Sequence, residues 1–335
     1  MQILVTGGAG FIGSHLVERL LQEGHTVTVL DDLSTGSEKN LAGLKIQFVR
    51  EDVKDREATY WFVRQSDFVI HLAAAVGVKL IMDDPYGSML TNIEGSSNVI
   101  RACSLRNKPL ILASTSEVYG KSSGDLLREE DDTLFGNSQK HRWSYAAAKL
   151  VDEHMALAAY KVGSIPFLVI PRFFNTVGPR QSPAYGMVLP RFIQQAVRQE
   201  PLTVYGDGSQ VRSFTWVYNT VEAVVRLMAC PEANGQVVNV GSSYPTTITG
   251  LASRVNRCLN NPAGIIHVPY HEAYGDGYED MMYRVPSTEK LKRLIGYTPR
   301  TPLEDIIEFT AGVERRDTSR WLGNRDLSRE IVNVG

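Results

Sequence analysis

The stretch Gly7-Gly8-Ala9-Gly10-Phe11-Ile12-Gly13 follows an apolar run at 3–5 and opens a segment, 11–22, with apolar residues at helical spacing. Glycine allows the backbone to turn tightly and to approach a pyrophosphate, and the helix N-terminus then faces the phosphates. This order of strand, glycine-rich turn and helix predicts a dinucleotide-binding site. Glycine also suits any tight turn between a strand and a helix, so the prediction depends on the residues that follow.

Short apolar runs alternate with helical patterns along the first half of the chain. The predicted strands are 3–5, 27–30, 46–49, 68–71, 110–113 and 167–171, and the clearest predicted helices are 11–22, 86–106 and 143–162. Strands that alternate with helices predict a parallel sheet with helices on both faces. The predicted fold class is α/β, a Rossmann-type doubly wound parallel sheet.

The pattern changes after Arg172, where the segments become short and are interrupted by proline and glycine. We predict a Rossmann domain at 1–171, which includes the helix at 143–162, and a smaller C-terminal substrate-binding lobe at 172–313. Strands or helices of this lobe can return to the first domain. The charged tail at 314–335 has no clear apolar period, and we assign it no function.

Composition excludes several classes of function. The 335 residues carry a formal net charge of −2, which offers no basic field for nucleic acid. The three cysteines, Cys103, Cys230 and Cys258, fit neither a disulfide framework nor a zinc site, so we expect no metal. No apolar run approaches the roughly 18 residues of a membrane span. We expect a cytoplasmic protein.

Two acidic residues, Asp31 and Asp32, end the second predicted strand, 18 and 19 residues beyond Gly13. A carboxylate at this place accepts hydrogen bonds from the adenosine ribose and repels a 2′-phosphate, which favours NAD over NADP. The alternative is an acid that merely caps a helix or a turn. Asp52-Val53 and Leu72-Ala73-Ala74 follow the next two strands, where they can meet the adenine and the phosphates or form ordinary loops.

A second group of residues carries the chemistry of proton transfer. Tyr145 and Lys149 lie four residues apart, hence on one face of a helix. A lysine there lowers the pKa of the tyrosine, which can then accept a proton from a sugar hydroxyl. The alternative is a common surface pair. Ser114-Thr115-Ser116-Glu117 follows the fifth strand at the ligand-binding edge of the sheet, although Ser114 and Ser116 also suit a helix cap.

Together these segments resemble the extended short-chain dehydrogenase/reductase superfamily, and within it the NAD-dependent nucleotide-sugar epimerases, dehydratases and decarboxylases. The similarity covers roughly residues 1–310. Its segments are 6–13, 31–36, 71–74, 114–120, Tyr145 with Lys149, 172–180 and 205–212. The resemblance implies a tightly bound NAD⁺ that oxidises C4 of a nucleotide sugar. It also implies a homodimer formed through the helix of Tyr145 and the helix before it.

The resemblance and the motifs define three sets of site residues. The cofactor-binding set is Gly7, Gly10, Phe11, Ile12, Gly13, Asp31, Asp32, Ser34, Thr35, Gly36, Asp52, Val53, Leu72, Ala73, Ala74, Tyr145, Lys149 and Phe174. The substrate-binding set is Asn175, Leu189, Arg191, Tyr205, Gln210, Arg212 and Arg284. The catalytic set is Thr115, Ser116, Glu117, Tyr145, Lys149 and Arg284.

The residues after the fifth strand favour one reaction of this family. The dTDP-glucose dehydratases carry an aspartate at the position of Ser116, and serine is a poor proton donor. Simple 4-epimerases usually carry serine or threonine at the position of Glu117. Thr115-Ser116-Glu117 resembles the UDP-glucuronate decarboxylases instead. The segment 277–287, with Arg284, resembles the decarboxylase domain of the bifunctional polymyxin-resistance enzyme.

This resemblance implies an NAD-dependent UDP-glucuronic acid decarboxylase, a lyase that releases CO₂ and forms UDP-xylose, UDP-4-keto-pentose or both. Arg284 would anchor the sugar carboxylate or protonate C5, or it would instead bind the diphosphate. Glu117 would destabilise the carboxylate or position a water. The loop at 75–79 looks more like that of 4-epimerases, so a UDP-glucuronate or UDP-glucose 4-epimerase remains the alternative. A 4,6-dehydratase and a non-catalytic NAD-binding regulator are weaker alternatives.

Overall fold

The computed structural model describes residues 1–121, 126–183, 187–274 and 279–312. The strands are β1 (Gln2–Thr6), β2 (Thr26–Leu30), β3 (Gln47–Val49), β4 (Phe68–His71), β5 (Leu110–Leu112), β6 (Ser114–Thr115), β7 (Leu168–Phe173), β8 (Thr176–Val177), β9 (Leu202–Tyr205), β10 (Val211–Arg212), β11 (Thr215–Trp216), β12 (Gln236–Val240), β13 (Thr246–Thr247), β14 (Ile265–Val268) and β15 (Tyr283–Arg284). The helices are α1 (Phe11–Gln22), α2 (Arg56–Gln65), α3 (Val78–Asp83), α4 (Pro85–Arg106), α5 (Ser144–Lys161), α6 (Val188–Val197), α7 (Val217–Met228), α8 (Ile248–Cys258), α9 (Tyr270–Tyr274), α10 (Glu289–Ile295) and α11 (Leu303–Thr310).

The main sheet has the strand order β12-β7-β5-β4-β1-β2-β3, with the short β6 beside β7, and all of these pairings are parallel. Every residue of β4 and of β5 is buried, as expected for strands covered on both faces. The predicted doubly wound α/β fold is confirmed. Strand β7 continues two residues beyond its predicted end.

Two apolar cores cover the two faces of this sheet. On one face α1 and α7 pack together, and helical spacing directs Leu16, Leu20 and Val224 into the same core. On the other face α4 and α5 contribute Val99 and Ala156. The sheet is therefore held from both sides, and the carboxyl ends of its strands are left to form a ligand site.

The chain returns to the main sheet after the predicted domain boundary at residue 171, which falls inside β7. Strand β12 pairs with β7, and α7 and α10 join the core on the α1 face. The remaining elements form a smaller lobe whose core lies among α6, α8 and α11. Within the described ranges, no helix is long and apolar enough to cross a membrane.

Candidate active site

The glycine-rich turn has the close packing that a phosphate-binding turn requires. Gly7 has φ of +71°, and a Cβ at Gly13 would lie 2.1 Å from the carbonyl oxygen of Gly7. Gly10 is the N-cap residue before α1 and has no side chain to accept from the first backbone N–H groups, so these groups are left for a ligand. The turn therefore accepts glycine alone at its tightest point.

Asp31 and Asp32 take different positions at the end of β2. Asp31 is buried and accepts hydrogen bonds from Ala9 N (2.9 Å) and Leu33 N (2.8 Å). Burial raises the pKa of Asp31, and the two backbone hydrogen bonds oppose that rise. Asp32 accepts a hydrogen bond from Ser34 N (2.9 Å). Asp31 thus connects the end of β2 to the glycine turn.

A cavity of about 330 Å³ extends from this turn to Tyr145. Most of the residues predicted for cofactor binding and catalysis line it, together with Asn175 of the substrate-binding set. They are Gly7, Gly10, Phe11, Ile12, Gly13, Asp31, Asp32, Ser34, Thr35, Asp52, Val53, Leu72, Ala73, Ala74, Thr115, Ser116, Glu117, Tyr145, Lys149, Asn175 and Arg284. The parallel strands bring these segments together because their carboxyl ends share one edge of the sheet.

Three predicted residues, Phe174, Gly36 and Leu189, line neither this cavity nor the one that adjoins it. Phe174 is fully buried against Tyr119, in the core beneath the site, and Phe173 lines the cavity in its place. Successive residues at the end of a strand face opposite sides, so an error of one residue exchanges a wall residue for a core residue. Gly36 packs against the glycine turn, where an added Cβ would lie 3.0 Å from both the carbonyl carbon of Ala9 and Asp31 Oδ1. Leu189 packs in the core of the smaller lobe.

Tyr145 lies at the reacting end of the cavity, near Thr115 and Glu117. Burial raises the pKa of Tyr145, the negative charge of Glu117 raises it further, and the hydrogen bond with Thr115 opposes the shift. The sequence predicted a lowered pKa, and that prediction is wrong in this structure. The physical reason is that burial and a neighbouring carboxylate both disfavour the phenolate.

Lys149 is paired with a residue of its own helix. Its Nζ lies 2.9 Å from Asp152 Oδ2, which also accepts a hydrogen bond of 2.7 Å from Ser96 Oγ. Ser96 in turn lies 3.1 Å from Nε2 of His71. Burial, with Lys149 nearby, lowers the pKa of His71 to about 3, so this imidazole is neutral. A continuous buried hydrogen-bond network thus extends from Lys149 into the sheet.

Glu117 lies between two guanidinium groups. Arg284 Nη1 donates to its Oε1 at 2.9 Å, and Arg142 Nη1 donates to its Oε2. Arg284 Nη2 also donates to Asn175 Oδ1. Burial by itself would raise the pKa of Glu117, but Arg142 and Arg284 outweigh it and lower the pKa to about 2. Glu117 is therefore ionised at neutral pH.

An adjoining cavity of about 150 Å³ extends from Glu117 and Tyr145 into the smaller lobe. The predicted substrate residues on its wall are Asn175, Arg191, Tyr205, Gln210, Arg212 and Arg284. Arg191 stacks on Tyr205, with 3.9 Å between guanidinium carbon and ring centroid. Arg212 Nη2 lies 2.9 Å from Asp280 Oδ2. The cavity combines a stacking surface with buried guanidinium groups, which suits a nucleotide diphosphate.

The model of the NAD dependent epimerase/dehydratase family matches residues 3–241. The chain belongs to this family. The resemblance drawn from the motifs is thereby confirmed, and the glycine turn, Tyr145 and Lys149 all lie within the matched part.

Family members of known activity cover nearly the whole chain. A UDP-N-acetyl-alpha-D-glucosaminuronate decarboxylase of Bacillus cytotoxicus is 38% identical, over 92% of this chain and 95% of that protein. UDP-glucuronic acid decarboxylase 1 of Xenopus tropicalis is 32% identical, over 98% of this chain and 75% of that protein. A similar solved structure is that of UDP-glucuronic acid 4-epimerase from Bacillus cereus in complex with UDP-glucuronic acid and NAD. Its TM-score to this chain is 0.83 and the two sequences are 29% identical. The match covers 93% of this chain and 98% of that one.

Two residues of this epimerase/dehydratase family member escaped the sequence analysis. Arg142 lies three residues before Tyr145, in a 3-10 turn at His141–Trp143, and its position beside the Tyr-Lys pair was the available signal. Asp280 lies in the same segment as Arg284, and only the arginine of that segment was predicted to have a role. Asp280 Oδ1 is 3.8 Å from Arg142 Nη2. Residues 277 and 278 of that segment lie outside the described residues.

Proposed function

We propose that this protein is an NAD-dependent UDP-glucuronic acid decarboxylase. One observation carries the proposal: Arg284 and Glu117 form an ion pair, at 2.9 Å, on the wall of the cavity that holds Tyr145 and Thr115. A cation that can bind a sugar carboxylate is thus close to the residues that suit C4 oxidation. The two decarboxylases that resemble this chain along most of its length support the same reaction.

The cofactor part of the cavity fits NAD⁺. The absence of a side chain at Gly13 lets α1 pack directly on the glycine turn, where a Cβ would collide with the carbonyl oxygen of Gly7. Gly7, Gly10, Asp31 and Asp32 all lie on the wall of the same cavity. A carboxylate there accepts hydrogen bonds from ribose hydroxyls and repels a 2′-phosphate. NAD⁺ bound there supplies the acceptor for the hydrogen and electron pair that leave C4 of the sugar.

The chain's own residues then account for the remaining steps. Burial and Glu117 favour the protonated phenol of Tyr145 in the unliganded site, and the positive charge that bound NAD⁺ would add favours the phenolate instead. As the phenolate, Tyr145 would accept the proton of the 4-hydroxyl, and Thr115 would orient that oxygen through its hydroxyl.

A 4-keto-hexuronate is a β-keto acid, so breaking the C5–C6 bond releases CO₂ and leaves the electron pair on C5 and the C4 oxygen. Hydrogen bonds from Tyr145 and Thr115 stabilise that enolate. A proton delivered to C5 by Arg284 or by a water would give the UDP-4-keto-pentose. That product would be released, or it would be reduced to UDP-xylose when the hydrogen and electron pair removed from C4 return to it and Tyr145 gives its proton back to the C4 oxygen.

A second substrate is supported by a specific observation. The relative from Bacillus cytotoxicus that is 38% identical to this chain is named for decarboxylation of the 2-acetamido sugar. Val76 and Gly77 form part of the wall of the adjoining cavity of about 150 Å³, and this part of the wall has no polar side-chain group that would select a free 2-hydroxyl. UDP-N-acetylglucosaminuronate is therefore the second candidate substrate, with the same reaction at C4 and C6.

The proposal also includes a cytoplasmic homodimer. The resemblance implies assembly through α4 and α5, which pack against each other in this structure, and Val151 on α5 is 42% exposed. Sedimentation equilibrium tests this part by measuring the mass in solution. A monomer at micromolar concentration would contradict it.

The deciding experiment for the reaction follows both carbon fragments. The protein is incubated with NAD⁺ and UDP-glucuronate labelled with ¹³C at C6, and in parallel with the 2-acetamido analogue. We expect labelled CO₂ and a UDP-pentose by mass spectrometry. Recovery of UDP-galacturonate without CO₂ would replace the decarboxylase with the 4-epimerase. Formation of a 4-keto-6-deoxy sugar from UDP-glucose, with no CO₂ from UDP-glucuronate, would indicate a dehydratase.

A further inference from the structure

Arg284 is already engaged in this structure. Its Nη1 donates to Glu117 Oε1 at 2.9 Å and its Nη2 donates to Asn175 Oδ1. A sugar carboxylate that binds Arg284 must therefore compete with the carboxylate of Glu117. If it displaces Glu117, that carboxylate, whose side chain is only 12% exposed, needs another partner. Leaving a buried carboxylate without a partner is strongly unfavourable.

Arg142 already binds the opposite oxygen of Glu117. Its Nη1 donates to Oε2, whereas Arg284 occupies Oε1, so the two guanidinium groups do not share an acceptor atom. Glu117 thus keeps a charged partner when Arg284 leaves.

Arg142 is held in place from the other side. Its side chain is 4% exposed, and Nη2 lies 3.8 Å from Asp280 Oδ1. The second oxygen of Asp280 is bound by Arg212 at 2.9 Å. The 3-10 turn that carries Arg142 runs directly into α5. Arg142 is therefore anchored to the sheet domain and to the smaller lobe, while Arg284 belongs to the short edge strand β15.

We propose that Arg142 is a positioning residue, which keeps Glu117 paired while Arg284 transfers from Glu117 to the carboxylate of the sugar. This inference rests on the proposed function, because it requires a substrate with a carboxylate at C6. It makes Arg142 a determinant of specificity that need not touch the substrate. Its loss should weaken the binding of UDP-hexuronates and leave UDP-sugars without a carboxylate unaffected.

The test compares two ligands on the NAD-loaded enzyme. Dissociation constants for UDP-glucuronate and for UDP-xylose, which lacks C6, are measured by titration calorimetry for wild type, Arg142→Gln and Arg284→Gln. We expect Arg142→Gln to weaken UDP-glucuronate by about tenfold or more and UDP-xylose by less than about twofold. Arg226→Gln is the matched control, since that arginine forms a surface ion pair with Glu222 and should change neither constant.

A dependence on pH separates this role from a merely structural one. Without Arg142 the pKa of Glu117 rises, so lowering the pH protonates Glu117 earlier than in the wild type, frees Arg284 and restores part of the UDP-glucuronate affinity. The wild type should show no such recovery between pH 5 and 8, because Arg142 and Arg284 hold the pKa of Glu117 at about 2. Equal weakening of both ligands, or a loss that pH leaves unchanged, would overturn the proposal.

A double variant keeps the test informative if Arg142→Gln folds poorly. Glu117→Gln removes the charge that needs a partner, so Glu117→Gln/Arg142→Gln should fold and should bind UDP-glucuronate as tightly as Glu117→Gln alone. A further tenfold loss in the double variant would contradict the proposal. If the wild type releases no CO₂ from UDP-glucuronate, the proposed function itself is wrong, whatever the binding constants are. If CO₂ is released and Arg284→Gln fails to discriminate between the ligands, Arg284 does not bind the sugar carboxylate and the transfer proposed here does not occur. If Arg284→Gln discriminates and Arg142→Gln does not, only the role of Arg142 is wrong.

Discussion

Lys149 Nζ lies 2.9 Å from Asp152 Oδ2, and both side chains are almost completely buried, at 3% and 0% exposure. The lysine predicted to assist Tyr145 therefore has a carboxylate partner one helical turn farther along α5. Ser96 donates to the same oxygen. The positive charge of Lys149 is thus paired inside the core of the protein. A substitution at Asp152 should therefore affect stability as well as activity.

Asp152→Ala should destabilise the protein strongly. The substitution leaves the ammonium group of Lys149 buried without its partner, and breaking such a pair costs about 3–5 kcal/mol. Urea unfolding measures the loss. The control is Glu304→Ala, which breaks exposed ion pairs with Arg254 and Arg257 and should cost about 1 kcal/mol or less. Similar losses for the two variants would contradict the importance of the buried pair.

Tyr145→Phe should nearly abolish turnover without unfolding the protein. The hydroxyl that it removes is the proposed proton acceptor, and loss of a general base typically costs about 10²- to 10⁴-fold in rate. The ring is 8% exposed, so its packing is retained. The measurements are release of CO₂ from UDP-glucuronate and the amount of NAD that stays bound. Activity near that of the wild type would show that another group accepts the proton.

Gly13→Ala should eliminate cofactor binding. Its Cβ would lie 2.1 Å from the carbonyl oxygen of Gly7, so the turn that faces the phosphates must move. Gly24→Ala is the matched control, because its Cβ meets no atom within 4 Å. That control carries only the backbone strain of a positive φ, about 1 kcal/mol, and should bind NAD⁺ normally. Fluorescence titration with NAD⁺ compares them, and normal binding by Gly13→Ala would refute the assignment.

Glu117 should contribute to the loss of stability that the protein shows as the pH is lowered. Its pKa falls from an ordinary 4.5 to about 2 in the folded protein because Arg142 and Arg284 favour the ionised form over the effect of burial. A depressed pKa means that ionised Glu117 stabilises the fold above about pH 4.5, and this contribution disappears as the pH falls toward 2. Urea unfolding at a series of pH values should therefore show a shallower decline for Glu117→Gln than for wild type. Parallel profiles would contradict the shift.

Local patterns in the sequence determined the fold class, the glycine turn and the Tyr145–Lys149 helix. Each of these depends on residues close in the chain: apolar runs, a glycine spacing, or a four-residue helical repeat. The bounds of α4 and α5 are accordingly within one residue of the prediction. The sequence was less accurate about which residue at the end of a strand lines the cavity. Neighbouring residues face opposite sides there, so Phe173 lies on the cavity wall and Phe174 lies in the core.

Tertiary structure alone decided how the charges of the site are paired. Glu117 and Arg284 are 167 residues apart and meet because β15 joins β10 of the smaller lobe beside the edge of the main sheet. No local periodicity encodes such a contact. The pKa of Tyr145 was likewise decided by burial and by Glu117, which a Tyr-Lys spacing cannot reveal. The sequence alone therefore determined which groups are present, and the three-dimensional packing determined which are ionised, since desolvation and distance set the pKa values.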